Sequence, residues 1–535
     1  MEDALAVSNG PAANSWLLKA ISLVRTDSPT LVEWLASIGS AILLTISFPN
    51  VDLFFVAWIG LVPLLVVVAR RPAPIRAFML GWLTGSVFFY STCYWLTYSM
   101  IHYGGLPAPL AYLLLVPGSL VVGLFPGLFA ALVSLVVRRW GYQGLAVAPF
   151  IWAACEWFRL GVSGQLWNAL GYSQAYHPSL IQSASWGGVY AISFLVIAVN
   201  VAVTLPLLIK GWKTLILSIS IVLVVGIIIG TSFTRALRTL PSWDNGFVNV
   251  VAVQPNVPMT MVKSTTETQE LLDRHLSMST KALQSLNNDS LPRLVIWPES
   301  PMNFTYGSDR TLQSVIARFA KENRTSVLLN SLERAPGDGG YNSAVLINEE
   351  GRQIAQYDKI RLMPFGEYVP LPQWLGGSLI SGIVGDFTPG SRYVLMPIAN
   401  HQSGVFICIE SAYPSIARML TKEGAEVLIN ISNDGYLGPT AVMRQHLANT
   451  VFRAVENGRP LLRVTNTGIS AYISASGNAT DMTEGFTATV RTWQLDERRR
   501  DTFYTRYGDL FVQLCALVTI ATALTALFQT RRIKN

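Results

Sequence analysis

Eight hydrophobic runs, separated by short polar segments, restrict the fold of this chain more than any other feature of its sequence. They cover residues 34–48, 53–69, 78–100, 108–137, 144–158, 184–209, 215–233 and 510–528. Because an α-helix needs about 20 apolar residues to cross the hydrocarbon core of a bilayer, the runs predict eight membrane spans, of which the first and fifth are short. Only 13% of the chain is charged, against roughly a quarter of an ordinary soluble domain.

Basic residues lie at alternate ends of these runs, before the first and after the second, fourth, sixth and eighth. They are Lys19 and Arg25, then Arg70, Arg71 and Arg76, then Arg138 and Arg139, then Lys210 and Lys213, and finally Arg531, Arg532 and Lys534. Because basic residues favour the cytoplasmic side of a membrane, both termini are predicted to be cytoplasmic and the polar block after the seventh run to lie outside. Arg235 and Arg238 oppose this rule but begin the external block. A count of six or seven spans would break the alternation.

Charged residues are concentrated between Asp244 and Arg506, so the chain divides into a lipid-facing part and an aqueous part. We expect an N-terminal cytoplasmic segment with seven transmembrane helices at 1–243, an extracytoplasmic domain at 244–505, and an eighth helix with a cytoplasmic tail at 506–535. The formal net charge of +7 belongs mainly to clusters beside the hydrophobic runs, which argues against nucleic-acid binding. The acidic N-terminus predicts no cleaved signal peptide. Five scattered histidines form no ligand cluster and no nucleotide-binding motif is present, so neither a metal nor a cofactor is expected.

The aqueous part alternates between segments typical of strands and of helices. Strands are predicted at 247–254, 293–297, 326–330, 343–348, 404–409, 426–432, 460–465 and 469–475. Helices are predicted at 266–286, 311–322, 413–421 and 441–456. Continuous apolar strands rich in β-branched residues are typical of strands buried on both faces. The alternation therefore predicts a layered α/β domain.

The sequence GVFICIE, residues 404–410, places Cys408 in one of these apolar strands. Cys408 is the one cysteine of the aqueous part, which excludes a disulfide within that part. A lone cysteine is often only a small buried hydrophobic residue. It becomes a nucleophile when a neighbouring group ionises it and a cation stabilises the charge that develops during attack on a carbonyl.

Two upstream segments contain groups that suit these roles. Glu299 follows the apolar run LVIWP, and Lys359 follows a second strand-like run. Alone, Glu299 is more typical of a turn or helix cap and Lys359 of a solvated surface. All three residues, however, lie at the ends of apolar strands, where α/β domains carry their chemistry. We therefore interpret Glu299 as a general base, Lys359 as the cation that favours the thiolate and stabilises an oxyanion, and Cys408 as a nucleophile that forms an acyl thioester.

Three further features carry weaker predictions. Trp167 and Tyr172, between the fifth and sixth runs, are candidate substrate-binding residues, although their composition is more typical of anchoring at lipid headgroups. Glu156 and Arg159, three residues apart near the end of the fifth run, are predicted to pair on one helical face. Asn433 is a candidate binding residue in a turn after a strand, although turn chemistry alone explains it.

The motifs that carry these residues, WPES, DKIRLMPFGEYVP and ICIE, resemble those of the nitrilase superfamily and its Glu-Lys-Cys triad. The likeness extends through NISNDGYLG, Gln445 with His446, and RPLLRVTNTGISA, and spans about residues 247–494. GYSQ at 171–174 and QPNVP at 254–258 extend it further. Together with the hydrophobic runs, nearly the whole chain is similar to the bacterial apolipoprotein N-acyltransferase family.

This resemblance implies an αββα sandwich on the periplasmic side of the inner membrane, carried by an eight-span helical bundle. It implies Glu299 as base, Lys359 as oxyanion stabiliser and Cys408 as nucleophile, with Glu367 and Glu410 as supporting acids. The implied reaction moves an acyl chain from a phospholipid, typically phosphatidylethanolamine, to the enzyme thiol and then to the α-amino group of an apolipoprotein's diacylglyceryl-cysteine. Neither a cofactor nor a metal is implied, and nothing in the sequence indicates oligomerisation, so a monomer is expected.

The chain departs from the family pattern at two positions that concern how the acyl chain or acceptor is held. Lys263 stands where a tryptophan is common, and Ile409 follows the nucleophile where an aromatic residue is frequent. The segment 363–383 is rich in aromatic residues and glycine and includes Trp374, a candidate substrate-binding residue. It suits a mobile apolar lid or a rigid loop at the membrane equally well.

Two other functions stay open on the sequence. A membrane-tethered amidase or nitrilase-like hydrolase would use the same three residues with water as acceptor. A transporter or receptor would use the external block only to bind a ligand, and would not need Cys408. Because both substrates of the acyl transfer carry fatty chains, that reaction requires a site at the bilayer surface from which water is excluded.

Overall fold

The computed structural model describes residues 28–239, 246–259, 264–286, 290–337, 339–364, 366–368, 387–495 and 499–532. The two hydrophobic parts of the chain fold into a bundle of helices, and the aqueous part folds into two β-sheets flanked by helices. Lys263, Trp374 and most of the expected lid segment lie outside the described residues.

The bundle is built from helices whose bounds follow the hydrophobic runs. They are α1 (Leu31–Ile46), α2 (Val62–Arg70), α3 (Pro74–Thr92), α4 (Leu96–His102), α5 (Ala108–Trp140), α6 (Ala148–Ser163), α7 (Pro178–Ile181), α8 (Ala184–Leu208) and α9 (Trp212–Thr239). Short 3-10 turns lie at Phe54–Trp58, Gly141–Val147 and Leu170–Gln174.

All eight hydrophobic runs are mainly helical, but they differ in length. Among the residues that the structure describes, four helical stretches are long and apolar enough to cross a membrane: Ala108–Ser163, Ala184–Leu208, Trp212–Arg238 and Leu510–Phe528. The first of these contains both α5 and α6. Leu31–Ile46 and Phe54–Arg70 are shorter apolar helices. The helices are therefore those of a membrane protein, while the count of eight spans stays a prediction.

Helices α3 and α5 pack closely because small residues line their contact. A Cβ atom added at Gly81 would collide with the carbonyl of Pro126, and one at Gly85 would collide with the Pro126 ring. Small residues allow helix backbones to approach in lipid, where van der Waals packing contributes much of the association energy.

Helix α8 is interrupted at Gly187 and Gly188, whose backbone angles are not helical. Such a break frees backbone N–H groups, which must find partners away from water. The N–H of Val189 donates to Oε1 of Glu456 at 2.9 Å, a residue of the aqueous part. A carboxylate of the aqueous part thus completes a broken helix of the bundle.

The aqueous part contains twelve described strands in two sheets of six. The strands are β1 (Val248–Gln254), β2 (Arg293–Ile296), β3 (Ser326–Arg334), β4 (Gly340–Ile347), β5 (Gln353–Asp358), β6 (Leu395–Ile398), β7 (His401–Ile407), β8 (Val427–Ser432), β9 (Leu461–Thr465), β10 (Ala471–Ile473), β11 (Ala479–Thr480) and β12 (Thr489–Leu495). The first sheet has the order β12-β1-β2-β3-β4-β5, and the second has the order β11-β10-β9-β8-β7-β6. Strands β1, β2 and β3 are parallel, as are β7, β8 and β9.

Helices α10 (Thr265–Gln284), α11 (Arg310–Asn323), α12 (Pro414–Lys422), α13 (Val442–Asn457) and α14 (Phe503–Tyr507) accompany these sheets, and α15 (Leu510–Arg532) ends the described chain. Alternate residues of β1 belong to different cores. Val250 and Ala252 share a core with the second sheet, whereas Val251 and Val253 share one with α10 and α11. This period of two produces layers of helix, sheet, sheet and helix.

The predicted strands and helices of the aqueous part are present, with ends shifted by a few residues. The prediction was wrong at one important boundary, because β7 ends at Ile407 and residues Cys408–Ala412 form a 3-10 turn. Cys408 therefore lies beyond the strand rather than within it. Strands β6, β11 and β12 were not predicted, and β5 was expected only as a strand-like run before Lys359, since these strands are short or carry many polar residues.

Candidate active site

Lys359 lies between two carboxylates at one edge of the first sheet. It directly follows β5, and its Nζ lies 2.9 Å from Oε1 of Glu367 and 3.4 Å from Oε1 of Glu299. Asn342 of β4 donates from Nδ2 to the same two oxygens, at 2.9 Å to Glu299 and 2.7 Å to Glu367. Its own Oδ1 accepts from Asn330 of β3 at 2.7 Å. Neighbouring strands thus hold both carboxylates and the ammonium in one hydrogen-bonded cluster.

The Lys359 side chain is only 1% exposed, so its charge depends on these neighbours. Burial lowers the pKa of Lys359, but the carboxylates of Glu299 and Glu367 outweigh burial and raise the pKa well above its ordinary value. Lys359 therefore stays an ammonium across the physiological pH range. An ammonium fixed in this way is suited to stabilise an oxyanion.

Cys408 follows β7 of the second sheet and has an unusual backbone conformation. Its φ of 53° lies in the left-handed region, which costs a residue other than glycine of order 1–3 kcal/mol. Two side chains hold its carbonyl oxygen: Nε2 of His446 donates at 3.0 Å and Nδ2 of Asn430 donates at 3.4 Å. The strain therefore persists because the surrounding structure fixes it.

Cys408 lies within electrostatic reach of both Glu299 and Lys359, so the structure brings the three predicted residues together. Burial and the Glu299 carboxylate raise the pKa of the Cys408 thiol, and the opposing effect of Lys359 is smaller. Lys359 thus acts on the Cys408 pKa in the expected direction, toward the thiolate, but its effect is smaller than the effects of burial and Glu299. The resting group is a thiol, and its reaction requires a base to accept the proton.

Glu410 is fully buried and joins the two halves of this site. Its Oε1 accepts from the Tyr357 hydroxyl at 2.8 Å and from the Ile360 N–H at 2.8 Å, and its Oε2 accepts from the Ile407 N–H at 2.7 Å. Burial raises the pKa of Glu410 to about 7, although these donors oppose the shift. Glu410 thus ties the backbone beside Lys359 to the backbone that precedes Cys408.

A second buried network lies behind Cys408. Nδ1 of His446 lies 2.7 Å from Oδ1 of Asp434, and Oδ2 of Asp434 accepts from Arg463 at 2.9 Å. Arg463 also donates to Oδ1 of Asn430 at 2.5 Å. Burial raises the pKa of Asp434, but Arg463 and His446 outweigh burial and hold the pKa below its ordinary value. An ionised Asp434 consequently orients the His446 ring.

Trp167 and Tyr172 are buried between the bundle and the aqueous part, so the expectation of headgroup anchoring was wrong. Trp167 donates from Nε1 to Gln445 at 2.9 Å, and its ring lies 5.5 Å from the His446 ring. The Tyr172 hydroxyl accepts from Arg453 at 3.1 Å. Trp167 is therefore connected to the Cys408 backbone through one intervening residue, His446, whereas Tyr172 contacts Arg453 instead.

The predicted pair of Glu156 and Arg159 does not form. Among the residues that the structure describes, no ion pair joins them. Glu156 accepts from the Leu170 N–H at 2.7 Å, and Arg159 donates to the Trp167 carbonyl at 2.7 Å. Each of the two side chains forms its hydrogen bond with a backbone group of the loop that carries Trp167 instead of with the other charged group. Glu156 and Arg159 therefore fix this loop.

Asn433 closes a turn after β8. Its Oδ1 accepts from the Gly435 N–H at 3.1 Å and from the Thr467 hydroxyl at 3.2 Å. These bonds match the turn chemistry, while a binding role stays a prediction. Within the described ranges, no group of three His, Cys, Asp or Glu side chains is placed to hold a metal ion.

Sequence reasoning missed Asn342, and it noted Asp434, Arg463 and His446 within motifs without assigning them a role in the site. The feature of the sequence that could have identified these residues is a polar or charged side chain beside or within an apolar strand, as Arg463 is within LLRVT. A buried polar group needs hydrogen-bond partners, so each such residue marks a network. The sequence does not show which partners they find.

Two family models match the chain. One, described as the apolipoprotein N-acyltransferase N-terminal domain, matches residues 40–202, and the other, carbon-nitrogen hydrolase, matches residues 249–503. An apolipoprotein N-acyltransferase from Geobacter metallireducens is 33% identical over 502 residues, which cover 90% of this chain and 93% of that protein. The chain belongs to the apolipoprotein N-acyltransferase family.

A second relative agrees with this membership. An apolipoprotein N-acyltransferase from Allorhizobium ampelinum is 30% identical over 75% of this chain and 76% of its own length. Among solved structures, an amidase from Nesterenkonia sp. has a TM-score of 0.38 and 16% identity, covering 51% of this chain and 98% of the amidase. The match to the carbon-nitrogen hydrolase model confirms the predicted nitrilase-like fold for the aqueous part of this N-acyltransferase family member.

Proposed function

We propose that this protein transfers an acyl chain from a phospholipid, through a thioester on Cys408, to the α-amino group of the diacylglyceryl-cysteine of apolipoproteins. The observation that carries the proposal is the convergence of Cys408, Lys359 and Glu299 in a chain that belongs to the apolipoprotein N-acyltransferase family. Phosphatidylethanolamine is the expected donor, and the protein acts as a monomer without a cofactor or metal.

In the first half-reaction, Glu299 accepts the thiol proton as Sγ of Cys408 attacks the ester carbonyl of the phospholipid. Lys359 stabilises the negative charge on the carbonyl oxygen of the tetrahedral intermediate. The bond to the glycerol oxygen then breaks, Glu299 returns the proton to that oxygen, and a lysophospholipid leaves. The raised pKa of the Cys408 thiol supports this order, since the proton must be removed during the attack.

In the second half-reaction, the α-amine of the apolipoprotein attacks the thioester carbonyl. An α-amine has an unperturbed pKa near about 8, so an appreciable fraction is neutral and nucleophilic at neutral pH. Glu299 accepts a proton from the attacking nitrogen, the amide bond forms, and the released Cys408 thiolate takes that proton back. Glu367 assists by holding the Lys359 ammonium in position, a role that their distance of 2.9 Å supports.

The proposed arrangement in the membrane brings the site to the bilayer surface, where both lipid substrates lie. The bundle spans the inner membrane eight times with both termini in the cytoplasm, and residues 244–505 lie on the periplasmic side. The alternating basic residues and the helical conformation of all eight hydrophobic runs support this arrangement. Hydrogen bonds from Trp95 and Trp167 of the bundle to the buried Gln445 support a site beside the membrane part.

The test uses the purified full-length protein with phosphatidylethanolamine that carries a labelled acyl chain and a diacylglyceryl-cysteine peptide. We expect an intact-mass increase of one acyl group on the protein before the peptide is added, followed by label on the peptide amine. Cys408→Ala is the matched control and should give neither. Labelled free fatty acid in place of the acylated peptide would indicate a hydrolase, and full function of Cys408→Ala would indicate a ligand-binding role.

A further inference from the structure

Gln445 of α13 connects the aqueous part to the bundle through all of its side-chain polar groups. Its Oε1 accepts from the indole N–H groups of Trp95 at 3.0 Å and Trp167 at 2.9 Å. Its Nε2 donates to the carbonyls of Thr92 at 3.0 Å and Pro49 at 3.4 Å. Gln445 is buried, so these four bonds fix its position relative to helices of the membrane part.

The next residue, His446, contacts the backbone of Cys408. A carbonyl oxygen only accepts hydrogen bonds, so Nε2 of His446 carries a proton and donates it to the Cys408 oxygen at 3.0 Å. Oδ1 of the ionised Asp434 accepts from the other ring nitrogen at 2.7 Å, so this geometry requires a proton on both nitrogens. Burial and Arg463 lower the pKa of His446, and the Asp434 carboxylate opposes them. The Trp167 ring lies 5.5 Å from the His446 ring. Two consecutive residues of one helix therefore connect the bundle, through Gln445, with the backbone of the nucleophile, through His446.

The turn that carries Asp434 is also held by the bundle. The Tyr103 hydroxyl donates to the Gly435 carbonyl at 3.3 Å, and the Ser99 hydroxyl donates to the Tyr436 carbonyl at 2.5 Å. The orientation of His446 thus depends on membrane helices at two separate points, through Gln445 and through this turn.

The direction of the Cys408 side chain depends on its left-handed backbone, which is unfavourable without external support. We propose that His446 is the positioning residue of the Cys408 thiol, and that Gln445 makes this support depend on the seating of α13 against the membrane helices. His446 touches no reacting atom in this scheme. It fixes the carbonyl of Cys408 and thereby aims Sγ toward the carbonyl that it attacks.

With a phospholipid as donor, this inference rests on the proposed function. The experiment therefore uses an artificial acyl donor whose reaction with Cys408 does not depend on that function. Full-length protein in detergent micelles is mixed with p-nitrophenyl octanoate, and the burst of p-nitrophenolate reports formation of the Cys408 thioester. The amplitude gives the number of active thiols, and the rate constant gives their reactivity. A burst in the wild type without transfer from phospholipid would reject the proposed function and leave this inference testable.

We expect His446→Ala to lower the acylation rate constant on the order of 100-fold, with little change in burst amplitude or ester KM, because misaimed attack costs rate rather than binding. His446→Gln, which keeps an amide donor, should recover part of that loss. His401→Gln is the matched control. His401 lies at the start of β7, far along the strand from Cys408, and pairs with Glu426, so this variant should keep the wild-type rate.

A rate constant in His446→Ala within about threefold of the wild type would overturn the proposal, as would a loss confined to amplitude, which indicates misfolding alone. Gln445→Leu tests the link to the membrane part. It leaves the two indoles and two carbonyls without their partner, and should slow acylation by about tenfold at normal amplitude. A wild-type rate in Gln445→Leu would overturn the coupling to the bundle.

Discussion

Glu299 and Lys359 stand on the first sheet in a cluster where one cation faces two carboxylates, whereas Cys408 stands on the second sheet in a strained turn. The first half supplies charge and a proton acceptor, and its geometry comes from neighbouring strands of regular conformation. The second half supplies the nucleophile, and its geometry comes from His446 and Asn430 behind the backbone. We therefore expect the part of the site on the first sheet to lose activity when a charge is removed. We expect the part on the second sheet to lose activity when a hydrogen bond to the Cys408 carbonyl is removed.

The largest effect is expected from removing the nucleophile itself. Cys408→Ala should lower acyl transfer by on the order of 10⁴-fold or more, because the aqueous part has no second cysteine to form the thioester. Intact-mass spectrometry should detect no acyl-protein, while thermal unfolding should stay close to that of the wild type. Acylated protein in this variant would show that a residue outside the second sheet is the nucleophile.

Removing the cation of the first sheet should affect both activity and stability. Lys359→Met leaves the Glu299 and Glu367 carboxylates facing each other without a countercharge, and breaking such a buried pair costs about 3–5 kcal/mol. The fall in the unfolding midpoint is measured by differential scanning fluorimetry, and acylation should fall by about 10²- to 10³-fold.

Lys422→Met is the matched control, because Lys422 is exposed at the end of α12. It should leave both quantities unchanged. A stable, active Lys359→Met protein would contradict the charge balance described for the first sheet.

The pH dependence of the thiol measures how strongly the first sheet acts on the second. Burial and Glu299 raise the pKa of Cys408 above the ordinary value of 9.0, so the thiolate fraction grows about tenfold per pH unit up to at least pH 9. Alkylation of Cys408 by iodoacetamide, followed by peptide mass spectrometry, should rise without a plateau over that range. Because the folded pKa exceeds the unfolded one, the associated stability is present below about pH 9 and lost above it.

Glu299→Gln removes the carboxylate that adds to the effect of burial, while Lys359 remains. The rise in alkylation should therefore shift to lower pH in this variant. A plateau near neutral pH in the wild type would mean that Lys359 outweighs burial and Glu299 after all.

The smallest effect is expected at the contact with the bundle. Trp167→Phe keeps an aromatic ring against His446 but removes the hydrogen bond to Gln445, which is worth about 1 kcal/mol. Steady-state acyl transfer should fall by roughly threefold to tenfold, mainly in kcat. Trp186→Phe, an exposed tryptophan of the bundle, is the control. A loss in Trp167→Phe that appears only in KM would instead favour direct contact with substrate.

Much of the fold was predictable because its signals are local. Continuous apolar segments marked β1, β2, β7, β8 and β9, since a strand buried on both faces carries that pattern in its own residues. Strand β12 was not predictable in this way, because its register comes from pairing with β1, which is more than 200 residues earlier in the chain. The end of β7 was placed two residues late, since no local preference reveals a left-handed cysteine.

The candidate site divides along the same line. Glu299, Lys359 and Cys408 could be chosen from the sequence because each was expected at the end of a strand-like segment, where α/β domains carry their chemistry. The shared hydrogen bonds of Asn342 and the support from His446 could not, because they depend on which buried polar groups meet in space.

By itself, the amino-acid sequence determined that this protein has apolar helices flanking an α/β domain and which three residues carry its candidate chemistry. These properties depend on hydrophobicity and residue type along short segments. Only the tertiary structure decided that Cys408 rests as a thiol, that its backbone is strained, and that Gln445 and His446 link it to the membrane helices. Protonation and strain depend on burial and on neighbours that are distant along the chain, so they exist only once the chain has folded.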